Sequence, residues 1–190
     1  MNVFVKLLGF LFLNLLFCEL SAQNELHIEG GLSLMYTEHP AVNPSNHANS
    51  GYHFGIKGRM GKTRLFFQPG ISFHVLKMKA RPNLDPFAEG SAMYLLKIPL
   101  QAGFKILRND RFSLIALAGG QAGFVTAVDK GDAIFGREDV KDVNFGFLAG
   151  GAIDLGVLRV SVNFEKGASA FYKLKNYKSD FVFVSLGFNL

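Results

Sequence analysis

Hydrophobic and polar residues alternate along most of this chain. The final segment, FVFVSLGFNL (181–190), shows the pattern most clearly. One side of an extended strand there carries Val182, Val184, Leu186, Phe188 and Leu190, and the other carries Ser185, Gly187 and Asn189. An alternation with a period of two residues is typical of a strand whose two faces meet different environments. Because the pattern recurs along the chain, it predicts an all-β protein.

The alternation predicts eight strands, at 25–37, 51–60, 63–77, 92–107, 112–126, 143–154, 157–166 and 178–190. Short connections at 61–62, 108–111 and 155–156 alternate with long polar ones near 38–50, 78–91, 127–142 and 167–177. Short turns on one side, long loops on the other and an even strand number are typical of barrels that span an outer membrane. The sequence therefore predicts an eight-stranded antiparallel up-and-down transmembrane β-barrel, with both termini on the periplasmic side.

The faces of the predicted strands are chemically distinct. The strand at 92–107 places Leu96, Ile98 and Leu100 on one side and Lys97 and Gln101 on the other. A soluble periplasmic barrel of the lipocalin type, with a ligand in an apolar interior, would give the same alternation with its faces reversed. The asymmetry of the loops and the bulk of the apolar faces favour the membrane barrel.

An apolar leader precedes the strands. Lys6 is followed by LLGFLFLNLLF (7–17), which is too short for a spanning helix of about 20 residues. With Ala22 at a predicted cleavage site, residues 1–22 are predicted to be a cleaved signal peptide and 23–190 the barrel domain. An N-terminal membrane anchor is the alternative. Because Cys18 is the only cysteine, removal of the leader would leave a chain without disulfides.

Two segments could also be interpreted as membrane helices. Residues 112–128 and 145–158 are nearly free of charge, and each contains two glycines at the spacing of helix-packing motifs. Both runs are shorter than a spanning helix of about 18 residues, and each glycine inside a helix costs about 1 kcal/mol relative to alanine. We therefore predict strands, in which the glycines relieve crowding inside a narrow barrel.

The charges do not suggest a nucleic-acid partner. The chain has a formal net charge of +5, but its lysines and arginines are scattered and form no cluster. An exported basic protein is more consistent with contact to lipid phosphates.

The predicted inward faces are polar and carry both signs of charge. An eight-stranded barrel is about wide enough to be filled by its own side chains. We therefore expect a structural polar plug; because basic residues exceed acidic ones, a narrow anion-preferring path is the alternative. The residues predicted to point inward are Glu29, Lys57, Arg59, Arg64, Gln68, His74, Lys97, Gln101, Lys105, Asp154, Arg159, Asn163 and Glu165.

We expect no metal site and no cofactor. His27, His53 and His74 are predicted inward on neighbouring strands, but His27 lies near the start of its strand and His53 near the far end of the next. His39 and His47 lie in the first long loop without a cysteine or carboxylate at ligand spacing.

We also expect no enzymatic activity. The chain contains no G-x-S-x-G motif, and Gly61-Lys62-Thr63 lacks the earlier glycine that a phosphate loop requires. A barrel enzyme with a site at its rim is the alternative, built from His39 or from the carboxylates of the third long loop. Those carboxylates are Asp129, Asp132, Glu138, Asp139 and Asp142.

From the fourth strand onward the chain resembles the PorT-like outer-membrane β-barrel family of Gram-negative bacteria. The resemblance lies in MYLLKIPLQAGFKI (93–106), FSLIALAGGQAGF (112–124), VNFGFLAGGAIDLG (143–156), LRVSVNFEKG (158–167) and the final FVFVSLGFNL. It implies a structural or interaction role in protein secretion or envelope assembly. The implied partners are outer-membrane lipid and lipopolysaccharide, the barrel-assembly machinery, and other envelope or secretion proteins.

Overall fold

The computed structural model describes residues 25–37, 49–61, 64–77, 87, 91–109, 112–129, 136–173 and 176–190. The predicted signal peptide with Cys18, and the residues His39, His47 and Asp132, lie outside the described residues.

Eight strands form, and each matches a predicted strand to within two residues at either end. They are β1 (Glu25–Thr37), β2 (Asn49–Arg59), β3 (Leu65–Lys77), β4 (Ala92–Arg108), β5 (Phe112–Val128), β6 (Val143–Leu155), β7 (Leu158–Gly167) and β8 (Ser179–Asn189). The fold class predicted from the alternation is confirmed: the protein is an all-antiparallel, up-and-down β-barrel.

Each strand pairs with the next one in sequence, and the pairing of β1 with β8 closes the barrel. The connections after β2, β4 and β6 are short and lie together at one end, which we call the turn end. The strand ends from which the longer connections after β1, β3, β5 and β7 leave lie together at the opposite end, which we call the loop end. Two irregularities interrupt the pairing of β4 with β5, between Tyr94 and Leu95 and between Lys105 and Leu107.

Burial follows the predicted alternation. Apolar side chains at outward positions are largely exposed, as shown by Phe54 at 59% and Leu100 at 52%. Polar and charged side chains at inward positions are buried, as shown by Lys97 at 0% and Glu165 at 1%. Because successive side chains of a strand point to opposite faces, one register places all of one chemical class outside and the other inside.

The two charge-poor segments are strands, as predicted, because 112–128 forms β5 and most of 145–158 lies in β6. Within the described part of the chain, no helix is long and apolar enough to cross a membrane. A Cβ at Gly119 would overlap the carbonyl oxygen of Leu100, and one at Gly146 would overlap the carboxylate of Glu165. These positions explain why glycines recur on the inward faces of β5 and β6.

Candidate functional site

The lumen of the barrel holds nearly all of the residues predicted to point inward. All of them except Arg64 are buried, with exposed fractions of 8% or less. The prediction for Arg64 is wrong: its side chain is exposed, because β3 begins at Leu65 rather than at 63. Arg64 therefore lies in the turn before the strand, where alternation no longer decides which way a side chain points.

Ion pairs occupy the lumen near the turn end. Arg59 from β2 contacts Glu25 on β1, and its Nη2 lies 2.8 Å from Oδ2 of Asp154 on β6. Arg159 on β7 approaches the other oxygen of Asp154, with Nε at 3.7 Å from Oδ1. One level further in, Nζ of Lys57 lies 2.6 Å from Oε1 of Glu29. Pairing of this kind offsets the cost of removing charges from water.

A second group of polar contacts crosses the middle of the lumen. Nζ of Lys97 lies 2.5 Å from Oε2 of Glu165, which also accepts a hydrogen bond of 2.7 Å from Gln121. Gln101 donates a hydrogen bond of 2.9 Å to Asn163. These contacts join β4 and β5 to β7, which lies beyond β6 around the barrel wall. The opposing strands are thereby held at a fixed distance.

Two histidines and three serines form a continuous chain of hydrogen bonds in the same part of the lumen. Ser33 lies 3.0 Å from Nδ1 of both His53 and His74. The chain extends to Ser185 beyond His53, at 2.9 Å, and to Ser72 beyond His74, at 2.9 Å. The histidines are thus satisfied by hydroxyl groups and stacked on each other, with ring centroids 5.0 Å apart.

His27 does not join this group. It lies near the turn end, where Nδ1 is 2.5 Å from Oδ1 of Asn189. The described residues contain no group of three or more His, Cys, Asp or Glu side chains arranged to hold a metal ion.

Little free space remains between these side chains. The cavity beside His53, His74 and Lys57 has a volume of about 20 Å³, which is room for about one water molecule. An apolar ligand of the kind that lipocalins carry does not fit this space. In the described part of the barrel, the lumen at this level is a filled polar interior rather than a pore or a ligand pocket.

An apolar cluster, which the sequence analysis did not anticipate, closes the lumen at the loop end. Two loop segments, 136–142 and 168–173, lie against inward apolar side chains of the strands; we call these segments the cap. Val140 and Tyr172 are both 0% exposed and form a β-bridge that joins the two segments. The buried members of the cluster are Met35, Leu76, Met93, Leu95, Val125, Val140, Leu148, Phe171, Tyr172, Phe181 and Phe183.

Part of this cluster could have been found from the sequence. Phe181 and Phe183 share the parity of Ser185, so the alternation in β8 already assigns them to the lumen. No comparable signal marks Val140 or Tyr172, because both belong to loops. Burial raises the pKa of the Tyr172 phenol above its usual range, since the ionised form would lose its hydration.

The carboxylates of the third long loop that the structure describes take part in local loop contacts. Asp142 pairs with Arg137, and Asp139 accepts a hydrogen bond of 2.9 Å from the backbone of Gly136. Asp129 accepts one of 3.0 Å from the hydroxyl of Tyr94. The cap is joined to β5 by Arg137, whose Nη2 donates a hydrogen bond of 3.0 Å to the backbone carbonyl of Val125.

Comparison with solved structures identifies the architecture. The chain is similar to Neisserial surface protein A, with a TM-score of 0.59 and 10% sequence identity over 88% of this chain and 96% of that one. The fold is that of a small outer-membrane β-barrel. No protein-family model and no curated protein matches the chain. Membership of the PorT-like family therefore stays a prediction.

Two further outer-membrane barrels show a weaker likeness. The attachment invasion locus protein Ail of Yersinia pestis has a TM-score of 0.48 and 12% identity, covering 88% of this chain and 99% of that one. The outer membrane protein OprG of Pseudomonas aeruginosa has a TM-score of 0.48 and 11% identity, covering 88% and 96%.

Proposed function

We propose that this protein resides in the outer membrane of a Gram-negative bacterium. We propose further that it is a non-enzymatic structural or interaction protein. Its loop end is the surface that contacts its partners. The observation that carries this proposal is the inverted distribution of side chains, apolar outside and charged inside. The more specific function that we propose is a PorT-like role in secretion or envelope assembly.

The outer wall of the barrel supports a lipid environment. Large apolar side chains are exposed on every strand except β5, among them Leu65 at 61%, Phe147 at 69% and Leu186 at 56%. Water-soluble monomers rarely expose contiguous apolar surfaces beyond a few hundred Å². Hydrocarbon is the solvent in which such a wall is stable, and a closed barrel satisfies its backbone hydrogen bonds there without an edge.

The interior argues against transport as the main role. Ion pairs cross the lumen near the turn end, hydrogen bonds cross its middle, and the cap covers it at the loop end. A diffusing solute would have to displace several buried charges, each of which is costly to leave unpaired. The lipocalin alternative fails for a related reason, because its ligand would occupy space that these side chains already fill.

The loop end is then the surface through which the protein acts. The cap is folded against the barrel, since Lys141 donates a backbone hydrogen bond of 2.9 Å to Phe171 and Lys173 one of 2.9 Å to Asp139. A defined cap of this kind presents a fixed surface to lipopolysaccharide or to another envelope protein. Because preorganised surfaces lose less entropy on binding, they suit recognition.

Membrane fractionation, followed by electrophoresis of boiled and unboiled samples, tests the proposed location. We expect the protein in the outer-membrane fraction, with a mobility that changes on heating because the closed barrel resists unfolding by detergent. A periplasmic protein with a single mobility would overturn the proposal.

Site-specific photo-crosslinking in intact cells tests the proposed surface. A crosslinker at Lys173, which is exposed on the cap, should capture lipopolysaccharide or an envelope protein. The control is the same crosslinker at Leu100 on the outer wall, which should capture lipid tails. Identical products from both positions would contradict a specific role for the loop end.

A further inference from the structure

One residue of the second long loop lies outside the barrel. Phe87 is 73% exposed, and its ring stacks on that of Tyr52, with the centroids 5.5 Å apart and an angle of 22° between the planes. Tyr52 belongs to β2 and has the same parity as Phe54 and Ile56, which are exposed on the outer wall. Because Phe87 stacks on an outward side chain, its ring lies against the outer wall, whereas the cap lies over the lumen.

Phe87 extends an aromatic surface that the strands themselves form near the loop end. The ring centroid of Phe73 on β3 lies 5.5 Å from that of Phe54 on β2 and 6.1 Å from that of Tyr94 on β4. Both contacts join neighbouring strands, so the rings form a continuous surface across β2, β3 and β4. We call this surface, together with Phe87, the aromatic patch. Its members are Tyr52, Phe54, Phe73, Phe87 and Tyr94.

The aromatic patch lies where the outer wall changes from apolar to polar. On its side toward the turn end, the outward side chains of Ile56 and Ile71 are apolar and exposed. On its other side, the hydroxyl of Tyr94 donates a hydrogen bond of 3.0 Å to Asp129, and Lys77 is the last residue of β3 on the outward face. Aromatic side chains are favoured at the level of a membrane where hydrocarbon gives way to head groups and water.

The position of Phe87 distinguishes it from an ordinary exposed side chain. A single apolar residue on the surface of a soluble protein is common and needs no explanation. Phe87 is instead continuous with a wall for which hydrocarbon is the proposed solvent. Aromatic residues at the ends of strands are general in membrane barrels, whereas this ring is supplied by a loop. Lipid that covers the wall at this level would also remove the ring from water, which is favourable for an apolar surface.

We propose that Phe87 inserts into the lipid beside the barrel, at the level of the aromatic patch, and so anchors the second long loop to the membrane surface. Its partner is a lipid surface, and the ring contacts the acyl chains just below the head groups. This contact rests on the proposed outer-membrane location. It adds a lipid-binding residue in a loop to the lipid-facing side chains of the strands.

Tryptophan fluorescence in vesicles tests the contact, because the chain contains no tryptophan of its own. Phe87→Trp therefore places a single indole at the proposed position. The protein is refolded into phosphatidylcholine vesicles whose acyl chains carry bromine, which quenches an indole that it contacts, either near the head groups or near the chain ends. We expect Phe87→Trp to lose more fluorescence to the bromine near the head groups than to the deeper bromine.

Two other single-tryptophan variants are matched controls. Leu100→Trp, at the middle of the outer wall, should lose more fluorescence to the deeper bromine. Lys173→Trp, at an exposed position of the cap, should keep its fluorescence in both lipids. Heat-dependent mobility shows that each variant is a folded barrel. Because Phe87→Trp replaces one exposed aromatic ring by another, we expect this variant to fold.

Two results would overturn the lipid contact while the quenching of Leu100→Trp upholds the membrane location. In the first, Phe87→Trp is unquenched and emits at the wavelength of indole in water, so the ring faces solvent. In the second, its emission is shifted to the blue but is unquenched, so protein covers the ring, either from this chain or from a second copy. An absence of quenching in Leu100→Trp would contradict the membrane location itself, and the lipid contact with it.

Discussion

Lys97 and Glu165 form an ion pair across the centre of the lumen, and neither side chain is more than 2% exposed. The ammonium group also lies 3.4 Å from the centroid of the Phe181 ring and 4.9 Å from that of Phe183. The pair therefore marks the level at which the polar interior meets the apolar cluster below the cap. Cation–π contact supports the charge on the side where no oxygen is available.

Removal of one partner of this pair should be costly. Lys97→Met leaves Glu165 charged and buried with Gln121 as its remaining donor, so we expect unfolding to become easier by about 3–5 kcal/mol. The double variant Lys97→Met, Glu165→Gln should lose less than the sum of the single variants, because no uncompensated charge remains. These losses in the free energy of unfolding can be measured by urea unfolding, with the folded and unfolded bands separated on a gel. If the loss in the double variant equalled the sum of the two single losses, Lys97 and Glu165 would not be coupled across the lumen.

The cost of an arginine on the outer wall should depend on its depth. Leu100 lies at the middle of β4 and is 52% exposed, whereas Leu155 lies at the turn end of β6 and is 50% exposed. Leu100→Arg should destabilise the barrel in lipid vesicles by about 2–4 kcal/mol and Leu155→Arg by about 0–1 kcal/mol. The free energy of unfolding in vesicles is the measurement, and equal costs would argue against a membrane-spanning wall.

An arginine at an inward position of the lumen would be a poor control for Leu100→Arg. Gln101 is 1% exposed and bonded to Asn163, and Ser185 is 3% exposed and bonded to His53. An arginine at either position would have to displace packed side chains. Comparison by depth along the outer wall therefore isolates the effect of the lipid.

Gly103 makes room for an aromatic ring. A Cβ at this position would overlap the ring of Phe66, which is 2% exposed. Gly103→Ala should therefore destabilise the barrel by about 1–3 kcal/mol through overpacking. The same substitution should cost little in a Phe66→Ala background, where the ring is absent.

The control for this prediction is Gly58→Ala on β2, because a Cβ there would have no heavy atom within 4 Å. Thermal or urea unfolding of the four variants is sufficient. If Gly58→Ala costs as much as Gly103→Ala, the effect belongs to strand glycines in general and not to contact with Phe66.

The cap should loosen when Tyr172 is truncated. Its side chain is 0% exposed and stacks edge-on with Phe171, with ring centroids 5.2 Å apart. Tyr172→Ala removes this packing, so we expect faster proteolysis within 136–142 and 168–173 while the barrel keeps its heat-dependent mobility. Lys173→Ala, at the exposed neighbouring position, should leave the cleavage rate unchanged. Resistance equal to that of the unaltered protein would show that the cap does not rely on Tyr172.

The free energy of unfolding at alkaline pH should report on the burial of the Tyr172 phenol. Its pKa is raised in the folded protein, so it contributes stability that is fully present below its ordinary pKa of about 10 and is lost as the pH rises from there through the folded pKa. The unaltered protein should therefore lose stability more steeply above about pH 10 than Tyr172→Phe, which has no phenol to ionise. Unfolding experiments at a series of pH values give the slope of the free energy of unfolding against pH for each protein. The two slopes would coincide if the phenol were accessible to water.

The sequence by itself determined the barrel. Strand number, strand bounds, the alternation of short and long connections and the inward positions of Lys97, Arg159 and Glu165 all follow from a period of two residues, which is a local property. Arg64 shows the limit of that rule, since a shift of two residues in the start of β3 moved it out of the strand.

Tertiary structure alone decided which inward residues meet. Lys97 and Glu165 are 68 positions apart in the chain, and Ser33 and His74 are 41 apart. Such partners depend on how the closed barrel sets the register of each strand against its neighbours. The cap depends on it further, because Val140 and Tyr172 lie in loops without periodicity and become buried only when two loops meet above the same lumen.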